Sequence, residues 1–393
     1  MALTSDTSRK AVQKIEDIKK RYGQKLLILG HHYQRPEIIA LSDLLGDSFQ
    51  LSKWAAADEE CEVIAFCGVH FMAETADILA NRPEQVAKRG GRRVDVLLPD
   101  LNAGCPMADM AALEDVEDFW KRLGTVLDVE TEVVPVTYVN SSAAIKAFCG
   151  RHGGIACTSS NANAVLTWAF QQKPRVLFLP DQYLGRNTSL KMGVQPEERI
   201  LIDPVSQWQT DPKQAAAGLR TATGEFYINS EAAFHKASTE SVIQKARIFL
   251  WNGYCGVHQK FLSDDIDRAR QESPGVRVIV HPECHESVVQ KADLAGSTGK
   301  ILSEIEKSPG GAVWAVGTEG RFVGRMAKMF PDKNIRPLSD VPHYCSMMGL
   351  TTAEKLGQVL EQYQAGDRRH VIQVEKTIAA DALIALERML ANG

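Results

Sequence analysis

The sequence predicts an α/β protein built from a divergent threefold repeat of parallel α/β layers. Short runs rich in Val, Ile and Leu end abruptly in small or polar residues, as buried parallel strands do at functional loops. Helix-like stretches such as 143–152 and 286–294 separate these runs. A chain of 393 residues, 44% hydrophobic and 24% charged, is also longer than one core usually organises, so several folded domains are expected.

The predicted strands fall into three sets in chain order. The first set is 25–34, 62–71 and 94–105; the second is 132–142, 153–163, 175–185 and 247–258; the third is 275–286, 291–300, 311–321 and 334–345. Corresponding strands end alike: the motifs HHY, YVN and HPE close the first strand of each set. Ligands of parallel sheets bind beyond the carboxyl ends of the strands, so these endings are candidates for one site.

Helices are predicted at both ends of the chain. Apolar residues recur at helical spacing near the start, at Val12, Ile15, Ile18 and Tyr22. Gly23 is a plausible stop for that helix, and Thr351 with Glu354 has the spacing of a capping box for another. A last apolar stripe comprises Ile378, Leu383, Ile384 and Leu390. These helices are expected to pack against the body of the protein.

Four regions follow from this pattern. They are a first α/β domain with the N-terminal helix (1–110), a second α/β domain (111–260), a third α/β domain (261–350) and C-terminal helices that pack back on the body (351–393). The second domain contains an inserted segment at about 195–246 that breaks the repeat. Its sequence assigns it no role.

Charge and hydropathy restrict the partners. Lys and Arg number 45 and Asp and Glu 49, for a net charge of −4 without long blocks of either sign, so nucleic acid and anionic membranes are not expected. The N-terminus shows no secretory signal, and no window approaches a membrane span. We therefore expect a cytoplasmic protein that acts on small molecules.

Three of the eight cysteines share a position: Cys105, Cys255 and Cys345 each lie in a loop after the last strand of a set. If the repeats face a common axis, three thiolates could hold an iron–sulfur cluster with one open iron, a Lewis acid suited to dehydration. The alternative is that they are buried thiols, since a single Cys after a strand is commonly part of the core. The other five are most simply packed thiols, and no C-x-x-C occurs.

Polar residues at strand ends and helix starts supply the remaining chemistry. They are His31, Tyr33, Ser48, Tyr138, Asn140, Ser159, His281, Glu283, Ser297 and Thr298. Hydroxyls and backbone amides at helix N-termini bind carboxylate or phosphate, which favours an anionic substrate, although a Ser at a strand end is commonly only a helix cap. Glu283 beside His281 could be a general acid/base pair or a solvated loop carboxylate.

Several motifs together resemble the quinolinate synthase (quinolinate synthetase A) family of de novo NAD biosynthesis. They are LGHHYQ, GDSFQLS, FMAETA, PDLNAGCPMAD, YVNSSAAIKA, CTSSNA, NGYCGVHQ, VIVHPEC, ADLAGSTG, VGTEG and CSMMGLTT, in this order over roughly residues 25–352. The resemblance implies three αβα domains related by pseudo-threefold symmetry around a central active-site cavity. It also implies one [4Fe–4S] cluster per chain, with Cys105, Cys255 and Cys345 as its ligands.

The resemblance further implies an enzyme, a transferase that condenses iminoaspartate with dihydroxyacetone phosphate and releases phosphate and two waters. It places ten residues at the substrate by motif match, the set of polar residues given above. Tyr33, Tyr138, His281 and Glu283 would be catalytic, with Tyr33 and Glu283 as proton handlers. An oxygen-sensitive activity is expected, and functional coupling to L-aspartate oxidase, the source of iminoaspartate, is possible.

Two departures from the family pattern and two alternatives remain. Shorter members of the family lack a counterpart of the 195–246 segment, and Cys345 lacks the neighbouring C-x-x-C that some members carry.

A [4Fe–4S] hydro-lyase of aconitase type is one alternative, but its C-x-x-C spacing is absent. A non-enzymatic α/β small-molecule binder with buried cysteines is the other, and it predicts a colourless protein.

Overall fold

The computed structural model describes residues 6–210 and 220–392. The chain forms two compact units. The first comprises Met1–Cys105, Lys260–His281 and Gln290–Lys376, and the second comprises Pro106–Gln259, Pro282–Val289 and Thr377–Gly393. Part of the inserted segment, residues 211–219, lies outside the described residues. The four-region division proposed from sequence stays a prediction.

The described strands, in chain order, are β1 Leu26–His31, β2 Leu44–Gly46, β3 Val63–Cys67, β4 Asp95–Leu97, β5 Val133–Tyr138, β6 Ile155–Cys157, β7 Arg175–Leu179, β8 Arg199–Ile202, β9 Phe226–Ile228, β10 Ile248–Trp251, β11 Arg277–Val280, β12 Leu294–Ala295, β13 Val313–Gly317, β14 Asn334–Pro337 and β15 Val371–Ile372. They form three separate sheets. Among these described strands, every strand-to-strand pairing is parallel except that of β15 with β4, so the α/β class is confirmed.

The described α-helices are α1 Asp6–Tyr22, α2 Pro36–Leu41, α3 Ser48–Ala57, α4 His70–Ala80, α5 Pro83–Lys88, α6 Pro106–Asp109, α7 Leu113–Leu123, α8 Val129–Glu132, α9 Ala143–Arg151, α10 Ala162–Gln172, α11 Gln182–Lys191, α12 Glu231–Thr239, α13 Val242–Lys245, α14 Ser263–Glu272, α15 Glu286–Lys291, α16 Thr298–Lys307, α17 Gly320–Met329, α18 Ala353–Gln364 and α19 Lys376–Ala391. They flank the sheets, as three-layer αβα domains require.

The three sheets repeat one strand order. The first unit contains the sheets β2-β1-β3-β4-β15 and β12-β11-β13-β14, and the second unit contains β6-β5-β7-β10-β8-β9. Counted from the start of each set, the strands lie in the order second, first, third, fourth. The predicted repeat is therefore present in the topology. The inserted segment adds β8 and β9 beyond the fourth strand of the middle sheet.

Apolar side chains fill the sheet–helix interfaces. In the first unit, Ile15 and Ile18 of α1 pack with strand residues such as Ile28 and with Leu356 of α18, all buried. Around the third sheet, Trp314, Phe322 and neighbouring aliphatic residues form another core. In the second unit, the rings of Phe119, Phe249 and Trp251 contact edge to face.

The flanking helices occur as predicted, with two corrections. Helix α1 ends before Gly23, whose φ of +54° suits glycine. The cap of α18 is Thr352, whose side chain accepts a hydrogen bond from Lys355 N, so the capping box predicted at Thr351 is wrong by one residue. Of the stripe predicted for α19, Ile384 is wrong because it is exposed, and Ile378, Leu383 and Leu390 are only partly buried.

The buried face of α19 consists of Ala382, Ala385, Leu386 and Met389. Small alanines occupy this face because α19 approaches α9 closely: a Cβ at Gly150 would lie 1.9 Å from the backbone oxygen of Asp381. The apolar stripe read from large side chains alone therefore missed the true contact face.

Candidate functional site

The three sheets present chemistry-bearing residues at equivalent strand ends. The first strands β1, β5 and β11 end at or just before His31, Tyr138 and His281. The second strands β2, β6 and β12 run into the turns that carry Ser48, Ser159 and Ser297. Each predicted cysteine follows a fourth strand, since Cys105, Cys255 and Cys345 come after β4, β10 and β14.

The burial of the cysteines divides them in the way the sequence predicts. Cys105, Cys255 and Cys345 are partly exposed, and the other five, Cys61, Cys67, Cys149, Cys157 and Cys284, are buried. Burial raises the pKa of Cys67 to about 12 and that of Cys157 well above its usual value, so these thiols stay protonated at neutral pH. Burial also raises the pKa of Cys345, so accessibility and not pKa distinguishes the three loop cysteines from the buried five as possible metal ligands.

Cys345 is held by its backbone. Glu319 Oε1 accepts a hydrogen bond from Cys345 N at 3.2 Å, and Arg321 Nη1 donates to Cys345 O at 3.2 Å. The same guanidinium donates to Glu319 Oε1 at 2.9 Å, and it lies over the ring of Tyr344. Gly320 N donates to His343 O at 2.8 Å. The start of α17 thus fixes the loop on both sides of the Cys345 thiol.

Glu319 has two functions in this arrangement. It is the N-cap of α17, with its carboxylate accepting from the backbone N–H groups of Arg321 and Phe322. Its side chain is fully buried, and burial raises its pKa although Arg321 opposes that shift. This carboxylate therefore links a helix start to the Cys345 loop.

The Cys105 loop is anchored in the same unit. Asp100 accepts hydrogen bonds from Asn102 N at 2.9 Å and from Lys355 of α18. Ala103 O accepts from His70 N at 2.8 Å, at the start of α4. Burial would raise the pKa of Asp100, but the hydrogen bonds from Lys355 and Asn102 and the charge of Lys355 together outweigh it, and the pKa is lowered. The turn before Cys105 is thus closed by a charged pair and by a helix N-terminus.

In the second unit, Cys255 lies beside two further potential metal ligands. One ligand atom each from Cys255, His258 and Glu283 lies within 4.8 Å of the others. His258 Nδ1 is 2.9 Å from Glu283 Oε2, and both side chains are buried. Gln259 donates to Glu283 O at 2.8 Å. The solvated alternative for Glu283 is therefore wrong: its carboxylate is buried and engaged with His258.

A second buried carboxylate, Asp181, lies near Glu283. Burial raises the pKa of Asp181 well above its usual value, and the charge of Glu283 raises it further. Asp181 Oδ1 accepts from Leu184 N at 2.6 Å, and Gln182 N donates to Gly253 O at 2.9 Å. The start of α11 therefore contacts the loop that leads to Cys255.

Tyr33 is positioned by two neighbours in the first unit. Its backbone N–H donates to His31 Nδ1 at 3.2 Å, and the two rings meet edge to face at 4.7 Å. Its hydroxyl is 2.9 Å from Thr318 Oγ1, at the end of β13. His281 N donates to Gly317 O at 3.0 Å, which ties the end of β11 to the same strand. The ends of β1, β11 and β13 thus lie together.

Two helix N-termini of the first unit also meet. Ser48 is the first residue of α3, capped by Asp47, and Ser297 caps α16 by accepting from Lys300 N. A Cβ at Gly299 would lie 3.1 Å from Asp47 Oδ2, so the two helix starts approach closely. The reading of Ser297 as a helix cap is confirmed, and Thr298 is buried beside it. Paired helix N-termini with hydroxyls suit an anionic group.

In the second unit, Tyr138, Asn140 and Ser159 lie at the ends of paired strands. Tyr138 is buried at the end of β5, and Val139 N donates to Cys157 O at 2.7 Å. The Oδ1 atom of Asn140 is buried without a hydrogen-bond partner among the described residues. An amide oxygen left in this condition is available to a ligand donor.

The sequence interpretation missed two residues that contact predicted ones: His258, which pairs with Glu283, and Thr318, at the hydroxyl of Tyr33. It also missed the buried His32 of the HHY motif, whose neighbours are Arg325 and Phe322. A signal for His258 existed in the C-x-x-H spacing from Cys255. Thr318 lies in the VGTEG motif, for which the sequence suggested no contact.

These observations define a class of protein: an α/β protein whose repeated sheets each carry one partly exposed cysteine after the fourth strand and polar side chains at the ends of the first strands. A model of the family "Quinolinate synthetase A protein" matches residues 13–391. The chain is 48% identical over 379 residues to a quinolinate synthase of Rhodopirellula baltica, covering 96% of this chain and 90% of the relative. It is 45% identical over 387 residues to one of a Nocardioides species, covering 97% and 89%.

The chain belongs to the quinolinate synthetase A family. The resemblance stated from the motifs is thereby confirmed, and with it an enzyme with quinolinate synthase function in NAD biosynthesis that acts on small molecules. Binding of an iron–sulfur cluster is typical of the family, and the accessible cysteines fit such a group. No described helix combines the length and hydropathy needed to span a membrane.

Proposed function

We propose that this chain forms quinolinate from iminoaspartate and dihydroxyacetone phosphate, with a [4Fe–4S] cluster ligated by Cys105, Cys255 and Cys345. The observation that carries the ligand set is that these are the accessible cysteines, one after each fourth strand, whereas the other five are buried. When bound, such a cluster supplies an open iron that acts as a Lewis acid toward a substrate oxygen during dehydration.

The substrate anions are held at helix starts and strand ends. Ser48 at the start of α3 and Ser297 with Thr298 at the start of α16 offer hydroxyls at helix N-termini to carboxylate or phosphate. Asn140 Oδ1, buried without a partner among the described residues, accepts a hydrogen bond from substrate. Ser159 and His31 complete the contacts.

Proton transfer is assigned to Tyr33, Tyr138, His281 and Glu283. The reaction joins two carbon skeletons, expels phosphate and removes two waters, so protons must leave carbon and reach departing oxygens. Glu283 is the proposed base: its carboxylate is buried, and its Oε2 lies 2.9 Å from His258 Nδ1, which fixes the orientation of the side chain. Tyr33, oriented through Thr318, is the proposed donor to an oxygen.

Anaerobic purification tests the ligand set. The wild-type protein is expected to be brown with about four irons and four sulfides per chain, and to form quinolinate until air destroys the cluster. Cys105→Ala, Cys255→Ala and Cys345→Ala should each lose the cluster and the activity. Cys61→Ala and Cys149→Ala are matched controls at buried thiols and should keep both. A colourless wild-type protein that resists reconstitution would refute the cluster.

The proton-transfer roles need separate variants. Tyr33→Phe removes the hydroxyl and Glu283→Gln removes the ionisable carboxylate, and both nearly keep the side-chain shape, so the cluster spectrum should persist while kcat falls about 100- to 10,000-fold. Product formation from iminoaspartate supplied by L-aspartate oxidase measures kcat. A variant with wild-type kcat would remove that residue from the mechanism.

A further inference from the structure

The inserted segment at 195–246 extends the middle sheet next to the strand that carries a predicted cluster ligand. Strand β8 pairs with β10, in register from Ile248 opposite Arg199 to Trp251 opposite Ile202. Cys255 follows four residues after the end of β10. Strand β9 then pairs with β8 at the edge of the sheet. The insertion is therefore an integral part of the second unit.

A buried charge network joins the insertion to α11. Glu225 of the insertion accepts from Arg186 Nε at 2.6 Å and from Arg186 Nη2 at 2.8 Å, a bidentate pair. Arg199, also of the insertion, lies 3.3 Å from Glu225 and donates to Glu286 at 3.2 Å. The side chains of Arg199 and Glu225 are fully buried. Two cations thus face two carboxylates in the interior.

The charges of this network are mutually dependent. Burial would raise the pKa of Glu225, but the hydrogen bonds and charge of Arg186 outweigh it, and the pKa is lowered. Removing one partner of a buried pair leaves the other charged and unpaired, which is costly. The geometry of Arg186 is therefore set by Glu225, a residue of the insertion.

Helix α11, which carries Arg186, also contacts the segment that carries Glu283. Asn187, next to Arg186, donates from Nδ2 to Pro282 O at 2.8 Å and to Cys284 O at 2.9 Å, the carbonyls on either side of Glu283. Arg199 contacts Glu286, three residues further on. The chain around Glu283 is thus fixed at three points, and all three depend on the insertion or on its partner helix.

The insertion also contacts the loop before Cys255. Asp203 Oδ1 accepts from Asn252 Nδ2 at 2.6 Å, and Tyr227 donates to Asp203 Oδ2 at 2.6 Å. Asn252 in turn accepts from Gln182, the first residue of α11. Gln182 Oε1 accepts a hydrogen bond from Arg186 Nη1 at 2.9 Å, which connects these contacts back to the Arg186–Glu225 pair. The same network therefore holds both sides of the Cys255–His258–Glu283 cluster.

We propose that the insertion is a positioning element for the active site, in which Glu225 orients Glu283 through Arg186 and Asn187. The inference rests on the proposed function, which makes Glu283 a proton-transfer residue. Displacement of a catalytic group by about 1 Å can cost a factor of 100 in rate, so a network of this kind acts on kcat without touching substrate.

The test uses the cluster-loaded full-length protein and two variants. Glu225→Gln removes the charge of the carboxylate and keeps its size, and Asn187→Ala removes the two hydrogen bonds to Pro282 and Cys284. Glu231→Gln is the matched control, because it breaks an ion pair of the same insertion, to Arg122, in which Glu231 is 71% exposed. Both test variants should lower kcat about 10- to 100-fold, and the control less than about twofold.

A double-mutant cycle with Glu283→Gln separates positioning from general loss of structure. If Glu225 acts through Glu283, the Glu225→Gln substitution should lower the residual rate of the Glu283→Gln protein by less than about twofold. An equal loss in both backgrounds would overturn the proposal. If Glu225→Gln does not fold, the Asn187→Ala cycle decides in the same way.

Hydrogen exchange tests the proposal without the reaction. The backbone amides of residues 283–286 should exchange at least about threefold faster in Asn187→Ala and Glu225→Gln than in the wild type or in Glu231→Gln. Unchanged exchange there would overturn the positioning role even if activity fell. A wild-type protein that forms no quinolinate, yet shows this exchange pattern, would refute the proposed function and keep the positioning network.

Discussion

Acidification should destabilise the first unit through the buried imidazole of His32. Arg325 Nη2 lies 2.8 Å from His32 Nδ1, and since the guanidinium can only donate, Nδ1 accepts and the ring is neutral. Phe322 stacks on the ring at 5.3 Å. Burial, with the positive charge of Arg325, lowers the pKa of His32 to about 3. Protonation of His32 would place a second buried positive charge next to that of Arg325.

The sign and size of the effect follow from that pKa. The unfolded chain binds a proton at His32 below about pH 6.5 and the folded chain does not, so the free energy of unfolding falls as the pH drops from about 6.5 toward 3. Each pH unit costs about 1.4 kcal/mol, so this residue alone removes about 2 kcal/mol between pH 6.5 and pH 5. Above about pH 6.5 its contribution is constant.

His32→Asn is the decisive variant, because the Asn amide oxygen can accept from Arg325 but the side chain does not titrate. Urea titrations of wild type and variant at several values between about pH 5 and pH 8 give the free energy of unfolding at each pH. Below pH 6.5 this free energy should fall less steeply with decreasing pH in the variant, by the slope that corresponds to about one bound proton. His235→Asn, at an exposed position, is the control and should leave the dependence unchanged. Parallel curves for wild type and His32→Asn, or a His32 imidazole NMR signal that titrates near pH 6.5, would refute this reasoning.

Further predictions concern the helix start beside Cys345 and two glycines. Glu319→Gln should lower the free energy of unfolding by about 1–3 kcal/mol, since it weakens the α17 cap and the hydrogen bond from Cys345 N. Under the proposed ligand set it should also speed the loss of iron from the protein to a chelator, and equal iron-release rates would contradict this. Gly150→Ala should destabilise by about 1–3 kcal/mol, because its Cβ would meet the backbone of Asp381. Gly324→Ala is the matched substitution in a helix, because no atom lies within 4 Å of the added Cβ, and it should raise the free energy of unfolding by up to about 1 kcal/mol. Melting temperatures that move in the same direction for the two glycine variants would contradict these two predictions.

Much of the fold could be predicted because its strands are buried on both faces. Such strands appear in the sequence as uninterrupted apolar runs, and the abrupt polar ends marked the loops correctly, including the one at Cys345. The strand missed in the first set, β2 at Leu44–Gly46, is three residues long and only partly buried, so it leaves no apolar run. Its absence hid the fact that Ser48 occupies the position equivalent to Ser159 and Ser297.

The contacts that orient the site could not be predicted, because they join residues far apart in sequence. Glu225 and Arg186 are 39 residues apart, and Tyr33 and Thr318 are 285 apart. No local pattern distinguishes a buried Glu that pairs with a distant Arg from an exposed one. His258 was within reach of sequence reasoning, since it lies three residues after Cys255. Its partner Glu283 was identified, but the pair required the structure.

The repeated strand order explains why one sequence pattern could supply three kinds of chemistry. In every sheet the end of the first strand, the turn after the second strand and the loop after the fourth strand are structurally equivalent positions. The turns carry Ser48, Ser159 and Ser297, and the fourth-strand loops carry a cysteine in each sheet, so these two positions keep one residue type. The first-strand ends carry two histidines and one tyrosine, His31, His281 and Tyr138. Under the proposed function, anion binding and metal ligation use the same group three times, whereas the middle sheet differs at its first-strand end, where Tyr138 is proposed to transfer a proton at a different atom of the substrate.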